Sequence, residues 1–148
     1  MEEVNDSVFI GLLPITSEWC QIELPHMTLV YAGEKKDLKS TAFNELAKDA
    51  ASIAMLANSF TLKVLSTEIF GGWKENQDKV DVLRLQPSPE LLAMRRAVEH
   101  WNKSEYPFNP HTTVGPVGSI VETPSYLTFN RIIIGWGNEY ITFWLKNT

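Results

Sequence analysis

The chain has 148 residues, 44% of them hydrophobic and 21% charged, which suits one globular unit with enough apolar content to build a core. Its net charge of −5 argues against a protein that grips long nucleic acid through many phosphates, because such a surface is basic. One cysteine, Cys20, excludes an internal disulfide framework and a cysteine metal cluster, and no apolar run approaches the length of a membrane helix.

In chain order, residues 1–6 are acidic and polar, unlike a signal peptide. Residues 7–15 (SVFIGLLPI) form a predicted strand that Pro14 ends. Residues 16–24, with Cys20 as a small buried hydrophobe, lead to Pro25-His26-Met27-Thr28-Leu29-Val30-Tyr31. This stretch is rich in β-branched and aromatic residues and reads as a second strand. Residues 34–37 are a charged loop. Across 39–57, Phe43, Leu46, Ala47, Ala50, Ala54 and Ala57 fall on one helical face, suited to close packing on a sheet.

Residues 60–70 are the next strand, 71–78 a glycine-bearing loop, and 80–85 a further strand. In the latter, Val80, Val82 and Arg84 share one face, and Asp81, Leu83 and Leu85 the other. Ser88 followed by Pro89 starts a helix, as cap and first turn. Leu91, Met94, Val98 and Trp101 mark its inner face, and it is expected to run as far as Lys103. Residues 105–110 deliver Pro110-His111-Thr112-Thr113-Val114, a strand by the same criteria as the first motif. After a loop from Gly118, residues 126–137 and 139–146 form a hairpin turning at Gly137-Asn138, with Ile132, Ile133, Ile134, Ile141, Phe143 and Trp144 as core. This mixture predicts an α+β fold, in one domain spanning 1–148.

Two of the strands carry one pattern. Of three histidines, His26 and His111 each have a threonine two positions on, Thr28 and Thr113, and a glycine seven positions on, Gly33 and Gly118. Residues i and i+2 of a strand share a face, about 7 Å apart. His26 therefore projects with Thr28, and His111 with Thr113, while Met27 and Thr112 point the other way. A lone His-x-Thr is an ordinary strand pattern, whereas a matched pair asks for a chemical reason. Two imidazoles at one cleft can take a proton from an attacking hydroxyl and give one to a leaving oxygen. Two hydroxyls beside them can donate to the non-bridging oxygens of a phosphate. Together they suit cleavage of a phosphodiester.

Other residues invite weaker readings. Trp73 either stacks on a nucleobase, worth about 1–3 kcal/mol per base, or packs at the edge of its loop. Tyr106 and Phe108 approach the second histidine, as groove wall or as core. Arg95 and Arg96 have a solvated helix face as their default, with a phosphate contact as the alternative. His100 lacks a threonine partner and is expected to be structural, and Glu139 to be exposed. Around His26 and His111 no third metal ligand is suggested by spacing. Phosphate-loop, dinucleotide and His-Glu-x-x-His signatures are absent, so neither metal nor cofactor is expected.

The stretches Pro-His-Met-Thr-Leu-Val-Tyr-Ala-Gly and Phe-Asn-Pro-His-Thr-Thr-Val-Gly resemble the two motifs of the two-histidine (2H) phosphoesterase superfamily. That superfamily includes RNA 2′,3′-cyclic phosphodiesterases, 2′–5′ RNA ligase-like proteins and some viral members. The resemblance implies a bilobal α+β fold: two antiparallel sheets with flanking helices around a central groove, related by a pseudo-two-fold axis. It also implies metal-free cleavage of a nucleotide phosphodiester, with His26 and His111 catalytic and Thr28 and Thr113 holding the phosphate. Substrates across the family include 2′,3′-cyclic RNA ends, cyclic ADP-ribose phosphates, 2′–5′ oligoadenylates and cyclic oligonucleotide signals, which some viral members destroy. Small size and acidic balance lean towards a small cyclic nucleotide or cyclic oligonucleotide. The alternatives are RNA-end processing and a non-catalytic nucleotide-binding module. A cytoplasmic location is expected, that of the host for a viral protein, and the oligomeric state stays open.

Overall fold

The computed structural model describes residues 5–15, 25–71, 79–120 and 122–147. Among these, the β-branched and apolar runs form seven strands and the two amphipathic stretches form helices. The order is β1 (Ser7–Pro14), β2 (Met27–Glu34), α1 (Ala42–Leu56), β3 (Phe60–Phe70), β4 (Val80–Leu85), α2 (Pro89–Val98), β5 (His111–Pro116), β6 (Tyr126–Trp136) and β7 (Glu139–Trp144). The strands pair antiparallel in the order β2-β1-β6-β3-β4-β5, with β7 added to β6.

The long strand β3 joins two sheets. Its first residues, Phe60 to Lys63, pair with β6, and from Val64 onward it pairs with β4, with an irregularity between Val64 and Ser66. One half of the molecule holds β1, β2, β6 and β7, and the other holds β4 and β5, giving the expected two-sheet α+β architecture. The motif strands β2 and β5 are the two ends of the hydrogen-bonded order, yet they approach one another.

A shared core stitches the halves together. It draws Ile10 and Leu12 from β1, Leu29 from β2, Leu46 from α1, Leu83 from β4, Leu91 from α2, Val114 from β5 and Ile132 from β6. Each such fully buried aliphatic side chain contributes roughly 1.5–3 kcal/mol. Helix α1 packs on β6 and β7, and α2 on β2. The alanines expected to allow close packing include Ala50 and Ala54, both buried.

Helix α2 starts as the sequence predicts. Pro89 occupies the first turn, and the Leu91 N–H donates to the Ser88 hydroxyl at 3.2 Å. It ends earlier than expected, at Val98, where the coil tightens into a 3₁₀ turn over Glu99–Trp101. Tertiary bonds favour that tightening: the Trp101 indole N–H donates to the Asp49 carboxylate of α1 at 2.8 Å, and the Lys103 N–H donates to the Tyr31 carbonyl of β2 at 2.7 Å. Helix α1 likewise starts at Ala42 and not at residue 39, because Lys39 heads a turn that its carbonyl closes by accepting from the Ala42 N–H at 3.0 Å.

One further expectation is corrected. Trp144 is not core: it is 62% exposed, because strand alternation gives the inward place to Leu145, and the Arg131 guanidinium lies 5.1 Å from its ring centroid. In β4, Asp81, Val82 and Leu83 are all buried, and the irregularity opposite Asp81 and Val82 lies in β5, where Val114 is the extra residue. The hairpin turns at Gly137-Asn138 as expected, with Trp136 paired to Glu139. The connection at 16–24, Cys20 and most of the 71–78 loop lie outside the described residues. No helix among the described residues is long and apolar enough to cross a membrane.

Candidate active site

The two motifs meet matching surroundings. His26 directly precedes β2, and both His26 and Thr28 are half-buried, while Met27 and Leu29 between and beyond them are buried in the core. On β5, His111 and Thr113 are half-buried, and Thr112 and Val114 are buried. The repeated glycines both take left-handed backbone, which glycine adopts without steric penalty. Gly33 (φ 103°) lies at an irregularity opposite β1. Gly118 (φ 95°) lies in the turn after β5, where its N–H donates to the buried Asp81 carboxylate at 2.8 Å.

Each motif histidine is set against a phenylalanine. The His26 ring stacks on Phe9 of β1, with centroids 4.3 Å apart and planes 17° from parallel. Phe9 in turn lies across β6 at Gly135, where a Cβ would collide with the Phe9 ring. The His111 ring lies 4.8 Å from that of Phe70, at the end of β3. Nδ1 of His111 is 2.7 Å from the Asn109 carbonyl oxygen. A carbonyl only accepts, so Nδ1 carries a proton, and Nε2 is left as the nitrogen that exchanges one.

A cleft of about 960 Å³ opens here, walled by β2 from Thr28 to Tyr31, Phe70 of β3, Arg95 of α2, His111 of β5 and several residues between Asn102 and Asn109. It brings Thr28 and His111 to one wall, while His26 and Thr113, each two residues from one of these, are outside that wall. Tyr106 is 83% exposed at the rim, and Phe108 serves both as wall and as packing against the core. The Tyr31 phenol donates to the Glu34 carboxylate at 2.6 Å. That bond, with some burial and the Glu34 charge, raises its pKa above the ordinary tyrosine value, so it remains a protonated donor at neutral pH.

Arg95 departs from its expected solvated face. Its side chain is 13% exposed, and its guanidinium lies 5.3 Å from the Phe108 ring centroid, because the segment after α2 folds back over that side of the helix. Arg96 and Glu139 are exposed, and Trp73 lies outside the described residues. His100 bonds to Asp49 at 3.2 Å and takes no part in the cleft wall. Among the described residues no group of three His, Cys, Asp or Glu side chains is placed to share a metal ion. Sequence reasoning missed Phe9, Phe70, Asn102, Ser104 and Asn109. Phe9 is hidden in an unbroken apolar run, whereas Asn109, two residues before His111, is a tautomer-setting position that the motif spacing could have suggested.

This α+β arrangement of antiparallel strands with flanking helices matches the 2H phosphoesterase fold of its solved neighbours. Among solved structures the chain is similar to TT0787 of Thermus thermophilus, at 13% identity over 95% of this chain and 98% of that one, with a TM-score of 0.61. It is also similar to E. coli LigT complexed with 3′-AMP, at 17% identity over 98% of this chain and 100% of that one (TM-score 0.57). Usb1 of Kluyveromyces marxianus is a third, at 12% identity over 95% and 99%, with a TM-score of 0.62. No protein-family model and no curated protein sequence matches the chain.

Proposed function

We propose that the chain is a metal-independent phosphodiesterase acting on a small nucleotide or short oligonucleotide, cyclic oligonucleotide signals included, with His26 and His111 as paired acid and base. The observation that carries this reading is the duplicated His-x-Thr frame on the two strands that end the hydrogen-bonded order and approach one another. The 3′-AMP held by E. coli LigT supports a nucleotide as the ligand of the shared fold.

In the proposed step a water or a ribose 2′-hydroxyl attacks phosphorus, and one imidazole takes the proton that the nucleophile loses. The bond from phosphorus to the leaving oxygen breaks, and the other imidazole supplies that oxygen with a proton. Charge builds on the non-bridging oxygens, where the Thr28 and Thr113 hydroxyls donate hydrogen bonds. After turnover the two imidazoles have exchanged protonation states and reset through solvent. With Nδ1 engaged by Asn109, His111 performs its part through Nε2.

The test is a turnover panel of 2′,3′-cyclic nucleotides, 2′–5′-linked oligoadenylate and cyclic dinucleotides, run with EDTA present. Cleavage of at least one of them by the parent, lost in His26→Ala and in His111→Ala, is the expected result. A parent that binds a nucleotide and cleaves none would overturn the catalytic reading. Activity that a chelator abolishes and added zinc or manganese restores would overturn its metal independence.

A further inference from the structure

We propose that Arg95 forms a second phosphate subsite in the cleft, so that the ligand is a nucleotide carrying a phosphate beyond the one held by Thr28 and His111. This deepens the function proposed above and rests on its placing of a nucleotide in this cleft. The sign of the charge is the first argument. The chain as a whole carries −5, yet among the described residues the cleft wall holds Arg95 and His111 and no aspartate or glutamate. An acidic protein thus presents the Arg95 charge in this wall, where an anionic ligand would sit.

The state of Arg95 is the second argument. Its side chain is 13% exposed, and its Nε is buried without a hydrogen-bond partner among the described residues. The carboxylate paired with it is Glu99, 4.0 Å from Nη1 and itself 66% exposed, which is the outer limit of an ion pair and a weakly coupled one. A guanidinium removed from water normally finds acceptors for its donors. Here the planar fork is held over Phe108, which fixes its orientation in advance. An oriented guanidinium in the cleft wall matches the oxygens of a phosphate.

Neighbouring groups supply what such a subsite needs. The Ser104 hydroxyl accepts from the Tyr106 N–H at 3.2 Å and keeps its own proton to donate. Asn102 braces that segment, its amide donating to the Ser104 carbonyl and its side-chain oxygen accepting from the Ser104 N–H. A ligand with one phosphate, at Thr28 and His111, leaves Arg95 with the exposed Glu99 carboxylate 4.0 Å away and no phosphate. A second phosphate, from the next linkage of an oligonucleotide or from a nucleoside bisphosphate, occupies it.

Calorimetric titration with adenosine 3′-monophosphate and adenosine 3′,5′-bisphosphate tests this, since neither compound contains a phosphodiester to cleave. The parent is expected to prefer the bisphosphate by on the order of ten- to hundredfold, the size of a charge-assisted contact. In Arg95→Met that preference is expected to fall to about unity, and in Arg95→Lys, which keeps the charge and loses the fork, to lie between. Equal affinities in the parent, no binding of either compound, or a preference that survives Arg95→Met would each overturn the proposal. Should Arg95→Met fail to fold, the parent ratio and Arg95→Lys still decide it. A bisphosphate preference without turnover on the panel sinks the catalytic reading alone. Turnover of single-phosphate substrates with no such preference sinks this subsite alone.

Discussion

Thr112 and Thr113 are adjacent and meet opposite surroundings. Thr112 is fully buried, and its hydroxyl has no hydrogen-bond partner among the described residues. An unpaired buried hydroxyl destabilises by about 1–3 kcal/mol, so Thr112→Val is expected to leave activity unchanged and to raise stability by about 1 kcal/mol in denaturant melts. Thr113→Val is expected to lower kcat/KM on the order of 10²–10³, the usual effect of losing one donor to a developing charge, while Thr113→Ser retains most activity. If Thr112→Val were the inactive variant, the two faces of β5 would have exchanged roles. Acid and base work by two imidazoles also predicts a kcat/KM that rises and then falls with pH. His26→Ala and His111→Ala should each remove one limb along with most of the rate. His100→Ala, which removes the bond to Asp49 and the ring contact with Trp101 outside the cleft, should keep both limbs. At this scale what the sequence makes legible is the strand period, which sets the imidazole and the hydroxyl of each His-x-Thr on one face; that Thr28 and His111 alone of the four line the cleft follows from tertiary structure.

Elements were legible where local chemistry sets them and less so where tertiary contacts do. The start of α2 is local: Ser88 caps it, and Ser88→Ala is expected to destabilise the protein by about 1 kcal/mol in thermal or urea melts. Its end is not local, since the tightening at Glu99 answers to Asp49 on α1 and Tyr31 on β2. The same holds for Trp144, whose apolar character suggested core and whose register on β7 turned it outward. Strand β6 supports the first motif through an absence. Gly135 leaves room for the Phe9 ring on which His26 stacks, so Gly135→Ala should push that ring aside. A loss of about 1–3 kcal/mol in stability is expected, together with a fall in turnover and a changed imidazole signal for His26 in proton NMR. An unaltered His26 signal beside a displaced Phe9 would show that the stack does not position the imidazole.

The cleft belongs to the whole molecule, which is why so little of it could be read in advance. Helical periodicity assigns Arg95 to a face of α2 and says nothing of the segment that folds over that face. Asn102, Ser104 and Tyr106 have no period of their own, and reach the wall because Lys103 is bonded to β2 and His111 is fixed on β5. Thr28 and His111 line one cleft because the fold brings the two ends of the sheet order near each other.

That order makes β6 a keystone, although it contributes no motif residue. It stands between β1 and β3, and without it the pair β2-β1 has no hydrogen-bonded link to β3-β4-β5. A chain cut just before Tyr126 still contains His26, Thr28, His111 and Thr113, so by inventory it is complete. It is expected to show no turnover on the substrate panel, and activity in that fragment would mean that the motifs assemble without the strand order seen here. During synthesis the same geometry imposes a schedule: both histidines emerge before β6, and neither has its counterpart in place until that strand arrives to join the halves.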